Sequence, residues 1–159
     1  LLLGQIMDAQ LGYPHFEFIK RKILAPLGLT HTFASMHDVP ADSLMSGYAV
    51  DYDLDIKGND FGSMVATAED VGQFIRALNT GNLLSSEERE TYLQVYKLDH
   101  TGLLPGYQSI AEYNAELDAV VVMFNNTSGG LMWNLLEISH SRIEKLVKKH
   151  GDAVFSAEI

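Results

Sequence analysis

Asp99-His100-Thr101-Gly102-Leu103-Leu104-Pro105-Gly106-Tyr107 is the stretch from which the rest of this chain can be read. A titratable imidazole and a hydroxyl stand side by side, and Gly102, Pro105 and Gly106 follow. Glycine carries no side-chain bulk, so a ligand can approach the backbone closely there. Thr101 can donate to a carboxylate, and a free strand-edge N–H can serve an oxyanion. On these residues alone two readings stand: a turn holding a structural His100, or the floor of a binding site.

Downstream, residues 107–113 alternate weakly, residues 114–118 supply turn chemistry, and Ala119-Val120-Val121-Val122-Met123-Phe124 reads as a buried strand. An antiparallel hairpin is expected. Ser128-Gly129-Gly130 breaks the chain before a long helix over residues 131–149. Leu135, Leu136, Ile143, Leu146 and Val147 are expected on its buried face, with Lys145, Lys148 and Lys149 suiting its C-terminal end. The tail after Gly151 is expected to fray.

Upstream, Ser85 with Glu88 three residues later is a capping box, starting a short helix to about Leu93. Thr67 caps another helix, with Glu69 and Asp70 at its positive end. Its stripe of Val71, Phe74, Ile75 and Leu78 closes at Asn79-Thr80-Gly81. Before it, residues 32–64 lose periodicity, which marks a functional or covering loop. Their acidic run, Asp51-Tyr52-Asp53-Leu54-Asp55, reads as a solvated loop and lacks the glycine and distal glutamate of an EF-hand. At the start, Leu2, Leu3, Ile6, Met7 and Leu11 give one helix closed by Gly12. Pro14 opens a second, whose regular turns should end near Ala25 because of Pro26. Segregated helices and an antiparallel hairpin predict an α+β domain.

The 159 residues suit one domain and can bury roughly 70% of the unfolded surface. With 11 Lys and Arg against 21 Asp and Glu, the formal charge of −10 argues against a nucleic-acid partner. The absence of cysteine excludes disulfides, thiol catalysis and cysteine-based metal sites. No apolar run is long enough to span a membrane. The six histidines (His15, His31, His37, His100, His140, His150) are scattered, without a metal-binding motif. Phosphate loops and a G-x-S-x-G elbow are also missing, so no metal and no cofactor are expected. The opening Leu1-Leu2-Leu3-Gly4 lacks an initiator Met and a basic leader region, which suggests a chain that begins inside a helix.

Four segments, taken in order, resemble the serine β-lactamase and penicillin-binding superfamily. Leu24-Ala25-Pro26-Leu27-Gly28-Leu29-Thr30-His31-Thr32 resembles its Leu-x-Pro-Leu-Gly-Met-x-x-Thr helix end. Gly62-Ser63-Met64-Val65-Ala66-Thr67-Ala68-Glu69-Asp70 is similar to its Gly-Gly-x-x-Ser-Thr-Ala-x-Asp segment. His100-Thr101-Gly102 resembles its third motif, Lys-Thr-Gly or His-x-Gly. Tyr113-Asn114-Ala115-Glu116 followed by Val120-Val121-Val122 resembles its hairpin. The closer likeness is to the class C-like branch of β-lactamases, D-alanyl-D-alanine carboxypeptidases, D-amino-acid amidases and esterases. Histidine in the third motif leans toward the peptidase and esterase members.

The resemblance implies a β-lactamase/transpeptidase-like fold, with antiparallel strands and flanking helices, and acyl transfer by a serine on an amide or ester. His100 and Thr101 would bind a substrate carboxylate, with His100 polarising the site. Gly102 would let a small-molecule or peptide substrate lie along the strand, and the Leu103 N–H would supply half of an oxyanion hole. A periplasmic or extracellular location is likewise implied. Neither the nucleophile motif Ser-x-x-Lys nor Tyr-x-Asn occurs in the sequence. Residues 1–159 are therefore expected to be the C-terminal part of a single, incomplete domain, inactive alone. A missing N-terminal segment would complete it, and its exposed strand edges would favour self-association. The stretch from Tyr92 to His100 is also shorter than the family's strand-containing connection, so either a strand is absent or residues are missing. Two other readings stay open: a non-catalytic binding or assembly module of the same fold, and an unrelated α+β binding domain.

Overall fold

Local signals place most elements. The computed structural model describes residues 2–52, 55–57, 59 and 61–155. Helix α1 (Leu2–Leu11) ends where Gly12 takes a φ of +74°. Helix α2 (His15–Ile19) runs through a π turn at Lys20–Leu24 into α3 (Ala25–Leu27), which stops at left-handed Gly28. The helix thus passes Pro26, contrary to expectation. Widening to a π turn relieves the ladder position where proline has no N–H to donate.

Residues 32–64 are less irregular than their sequence suggests. Strand β1 (Thr32–Phe33) pairs with β3 (Val65–Ala66), and β2 (Tyr48–Ala49) lies parallel to β7 (Thr127–Ser128). Helix α4 (Ala68–Thr80) is capped by Thr67, whose hydroxyl accepts the Asp70 N–H, and stops at left-handed Gly81. Helix α5 (Ser86–Val95) opens with the expected reciprocal pair between Ser85 and Glu88.

The main sheet has the order β4-β5-β6, all antiparallel: β4 (His100–Leu104), β5 (Tyr107–Asn114) and β6 (Ala119–Asn125). The expected hairpin is β5–β6. The His100 stretch adds a third strand to it, turning at Pro105-Gly106. Among the described residues β4 and β6 each pair only with β5, so both outer edges are open.

Helices cover both faces of this sheet, because adjacent strand residues point opposite ways. Ala111 and Val122 sit opposite each other and face α4, whose Gly72 lies beside the Val122 methyl. Ile110 and Val121 face the other way, toward α6 (Met132–Phe155). Leu24, Leu29, Ile75, Leu78, Ile110 and Leu136 form the buried core.

Helix α6 corrects two expectations. It continues through Gly151, whose missing side chain lets the helix pass Leu117 at close range, and ends at Phe155. Its inner line is also rotated from the one expected. Leu136 and His140 are buried, whereas Leu135 is 53% and Leu146 58% exposed, and Ile143 is exposed too. The helix has more apolar residues than one face can hold, so hydrophobicity alone could not select the line that packs.

Candidate functional site

A cavity of about 480 Å³ opens beside β4 on the α4 face of the sheet. Its floor is the His100–Leu104 backbone with Ser109 and Phe124, and Val71 of α4 closes one end. The opposite wall comes from residues 36–64, including Met45, Lys57 and Phe61.

That wall is tied down by specific bonds. The Tyr107 hydroxyl donates to the Met45 carbonyl at 2.9 Å. The Asp55 carboxylate accepts the N–H groups of Gly47 and Lys57, each at 3.0 Å. Hydrogen bonds from the Ser46 side chain and the Lys57 backbone hold its carboxyl below the usual range, partly against burial. Asp55 is exposed, as a solvated acidic run would have it, and also organises the loop through these bonds. Asp53 and Leu54 of that run lie outside the described residues. Gly106 packs behind the wall, against Ile56 and Gly47. Its N–H donates to the buried Ser128 hydroxyl at 2.7 Å, and it turns the chain with a φ of +80°.

The sequence-predicted residues all line this cavity, but not in one orientation. His100 pairs with Ala111 and shares the α4 face, whereas Thr101 pairs with Ile110 on the opposite face. Their side chains do not converge. Gly102 lies opposite Ser109, and a Cβ there would fall 2.5 Å from the Ser109 hydroxyl oxygen. Leu104 and Tyr107 flank the two-residue turn as a bonded pair. Counting back from it, the alternation of an antiparallel ladder directs the N–H groups of Thr101 and Leu103 away from β5, to the open edge.

His100 is held by residues the sequence did not single out. Its Nε2 lies 3.0 Å from the Tyr92 hydroxyl, and its ring stacks on Tyr96 with centroids 5.0 Å apart. Burial pushes the His100 pKa below its usual 6.5, partly offset by the Asp99 charge. Burial raises Tyr92 above 10.0, with a smaller contribution from Tyr96, so its hydroxyl keeps its proton at neutral pH. The i, i+4 spacing of Tyr92 and Tyr96 marks one helix face, but nothing local says that this face meets His100. Among the described lining residues, Lys57 is the only side chain with a fixed positive charge.

The Beta-lactamase family model matches residues 1–98, more than half of the chain, and the chain belongs to that family. It is a member of the serine β-lactamase and penicillin-binding superfamily, a family of serine hydrolases. The match ends just before β4, so membership does not rest on the His100 motif. Solved structures share the fold. D-amino acid amidase from Ochrobactrum anthropi SV3 with D-phenylalanine superposes with a TM-score of 0.71 at 23% identity, over 91% of this chain and 58% of that one. The same amidase with L-phenylalanine gives 0.65 at 24% identity, over 81% and 48%. A D-stereospecific amidohydrolase from Streptomyces sp. gives 0.65 at 17% identity, over 78% and 47%. This chain spans about half the length of these neighbours. No curated protein sequence matches it.

Proposed function

We propose that residues 1–159 are the C-terminal part of a single β-lactamase-like domain, and supply the substrate-binding side of an acyl-transfer site. The reaction is that of a serine hydrolase of the β-lactamase or D-alanyl-D-alanine carboxypeptidase type. The cavity beside the open β4 edge carries this reading. An acyl substrate extended along β4 meets the outward Leu103 N–H, which supports the oxyanion as a serine attacks the carbonyl. The tetrahedral adduct expels amine or alcohol, and water then releases the acyl group. Removing one such donor lowers turnover by about 10²–10³-fold.

In this reading each residue has its own role. His100, with a lowered pKa, is neutral at pH 7 and acts through its dipole and its bond to Tyr92. Lys57, across the cavity, supplies the charge for a substrate carboxylate. Thr101 contributes its backbone edge, and Gly102 leaves the space over Ser109. The D-amino-acid ligand of a structural neighbour makes N-acyl-D-phenylalanine a suitable probe. The nucleophile comes from a segment outside these residues, since Ser-x-x-Lys is missing. The open sheet edges offer that segment, or a second copy, a place to pair.

Two measurements on the 159-residue chain test this. Titration with N-acyl-D-phenylalanine should shift the amide resonances of Gly102 and Leu103, and silence at both would refute the site. Intact-mass analysis after a fluorophosphonate or fluorescent penicillin should show no adduct, whereas an adduct would show that the nucleophile lies within the chain. A second reading, a non-catalytic binding module, is favoured by the missing nucleophile motif. Covalent labelling of the source polypeptide would eliminate it.

A further inference from the structure

On the sheet face opposite the cavity, His140 of α6 is buried to 3% exposure between Glu112 of β5 and Glu144 one helical turn on. Its Nε2 lies 3.3 Å from the Val121 carbonyl oxygen. A carbonyl only accepts, so Nε2 donates to it and Nδ1 is the ring nitrogen turned toward the glutamates. Nδ1 lies 3.8 Å from Glu112 Oε2. A proton on Nδ1 or a cation held between the two groups satisfies this contact. One ligand atom from each of Glu112, His140 and Glu144 lies within 4.8 Å of the others. Because no two of these atoms are farther apart than that, an ion among them is at most about 2.8 Å from each. A closure of roughly 0.7 Å then reaches zinc–ligand lengths. Glu112 is nearly half exposed and free to make that movement.

We propose that Glu112, His140 and Glu144 form a binding site for one divalent transition-metal ion of the zinc class, fastening α6 to β5. The imidazole nitrogen selects against magnesium and calcium, which prefer all-oxygen shells. The Val121 carbonyl is the outer partner that fixes the ring's tautomer and orientation. Glu112 and Glu144 balance the ion's charge, and solvent fills the remaining position. Lys148 competes for the same place: its ammonium lies 2.7 Å from Glu144 Oε1 and also feels Glu112 and Glu116. The ion either takes the other Glu144 oxygen or displaces Lys148. The site lies across the sheet from the cavity and does not depend on acyl transfer.

Cobalt(II) titration of the 159-residue chain tests the proposal by its visible d–d absorption, with zinc as competitor. One equivalent should bind. Glu112→Gln and Glu144→Gln should each weaken it at least tenfold. Lys148→Ala, which removes the competing cation, should tighten it several-fold, an effect that a general loss of folding cannot produce. His140→Ala should abolish binding, but the two glutamine variants carry the test if that protein misfolds. No binding would overturn the proposal. Binding that survives both glutamine variants, at one of the other histidines, would overturn it too.

Discussion

Gly106→Ala isolates the packing that shapes the cavity wall, because a second glycine provides a matched control. Gly106 and Gly81 have nearly the same backbone angle, φ of +80° and +79°. At Gly81 a Cβ would meet nothing within 4 Å. At Gly106 it would collide with the end of the Ile56 side chain and approach the Gly47 backbone carbon to 3.0 Å. Both substitutions incur the left-handed cost of about 1 kcal/mol. Only Gly106→Ala adds an overpacking cost of about 2 kcal/mol, since backbone cannot rotate out of the way. Thermal unfolding should therefore fall by about 2–4 °C for Gly81→Ala and by roughly 6–12 °C for Gly106→Ala. Adding Ile56→Ala should recover only part of the loss, because the Gly47 contact remains. The Leu103 amide resonance should also move in Gly106→Ala, since the turn sets the course of β4. Equal losses in the two single variants would refute the close approach of the 47–56 loop to this turn.

Further outcomes follow from a buried carboxylate and a half-buried imidazole. Asp70 is 4% exposed, and its carboxylate accepts the His31 N–H at 2.9 Å and the Thr32 hydroxyl at 2.7 Å. Asp70→Ala should cost about 3 kcal/mol in urea unfolding, and a loss under 1 kcal/mol would mean that α4 is not anchored there. For His100, burial holds the folded-state pKa below 6.5, so the unfolded chain takes up the proton first. Its contribution to stability is complete above about pH 6.5 and is lost as pH falls through the folded value. Asp99→Asn should lower the His100 midpoint in an NMR titration further, since Asp99 raises it, and an upward shift would contradict this environment.

The elements legible in the sequence are those whose chemistry closes within a few residues. Thr67 and the Ser85–Glu88 box start helices because their side chains satisfy N–H groups two or three positions away. Gly12, Gly28 and Gly81 end helices because their backbones alone enter the left-handed region cheaply. The His100-Thr101-Gly102 motif was likewise visible, but not its orientation. Strand alternation divides His100 from Thr101, and the imidazole is held by Tyr92 and Tyr96.

By itself the sequence determined where most helices and strands begin and which family the chain resembles. Only the tertiary structure decided which face of each element is buried. Periodicity offered α6 several apolar lines, and the helix buries the one holding Leu136 and His140. That choice brings Glu112 to residues 28 and 32 positions further along the chain, a separation at which no local pattern survives. The cavity wall has the same origin. Residues 36–64 have little periodicity of their own, and long-range bonds from the Tyr107 hydroxyl to Met45 and from the Tyr48 and Val50 N–H groups to the Asn126 and Ser128 carbonyls set their position. Local bonds are fixed by neighbours in sequence, whereas faces and cavities are fixed by what folding brings against them.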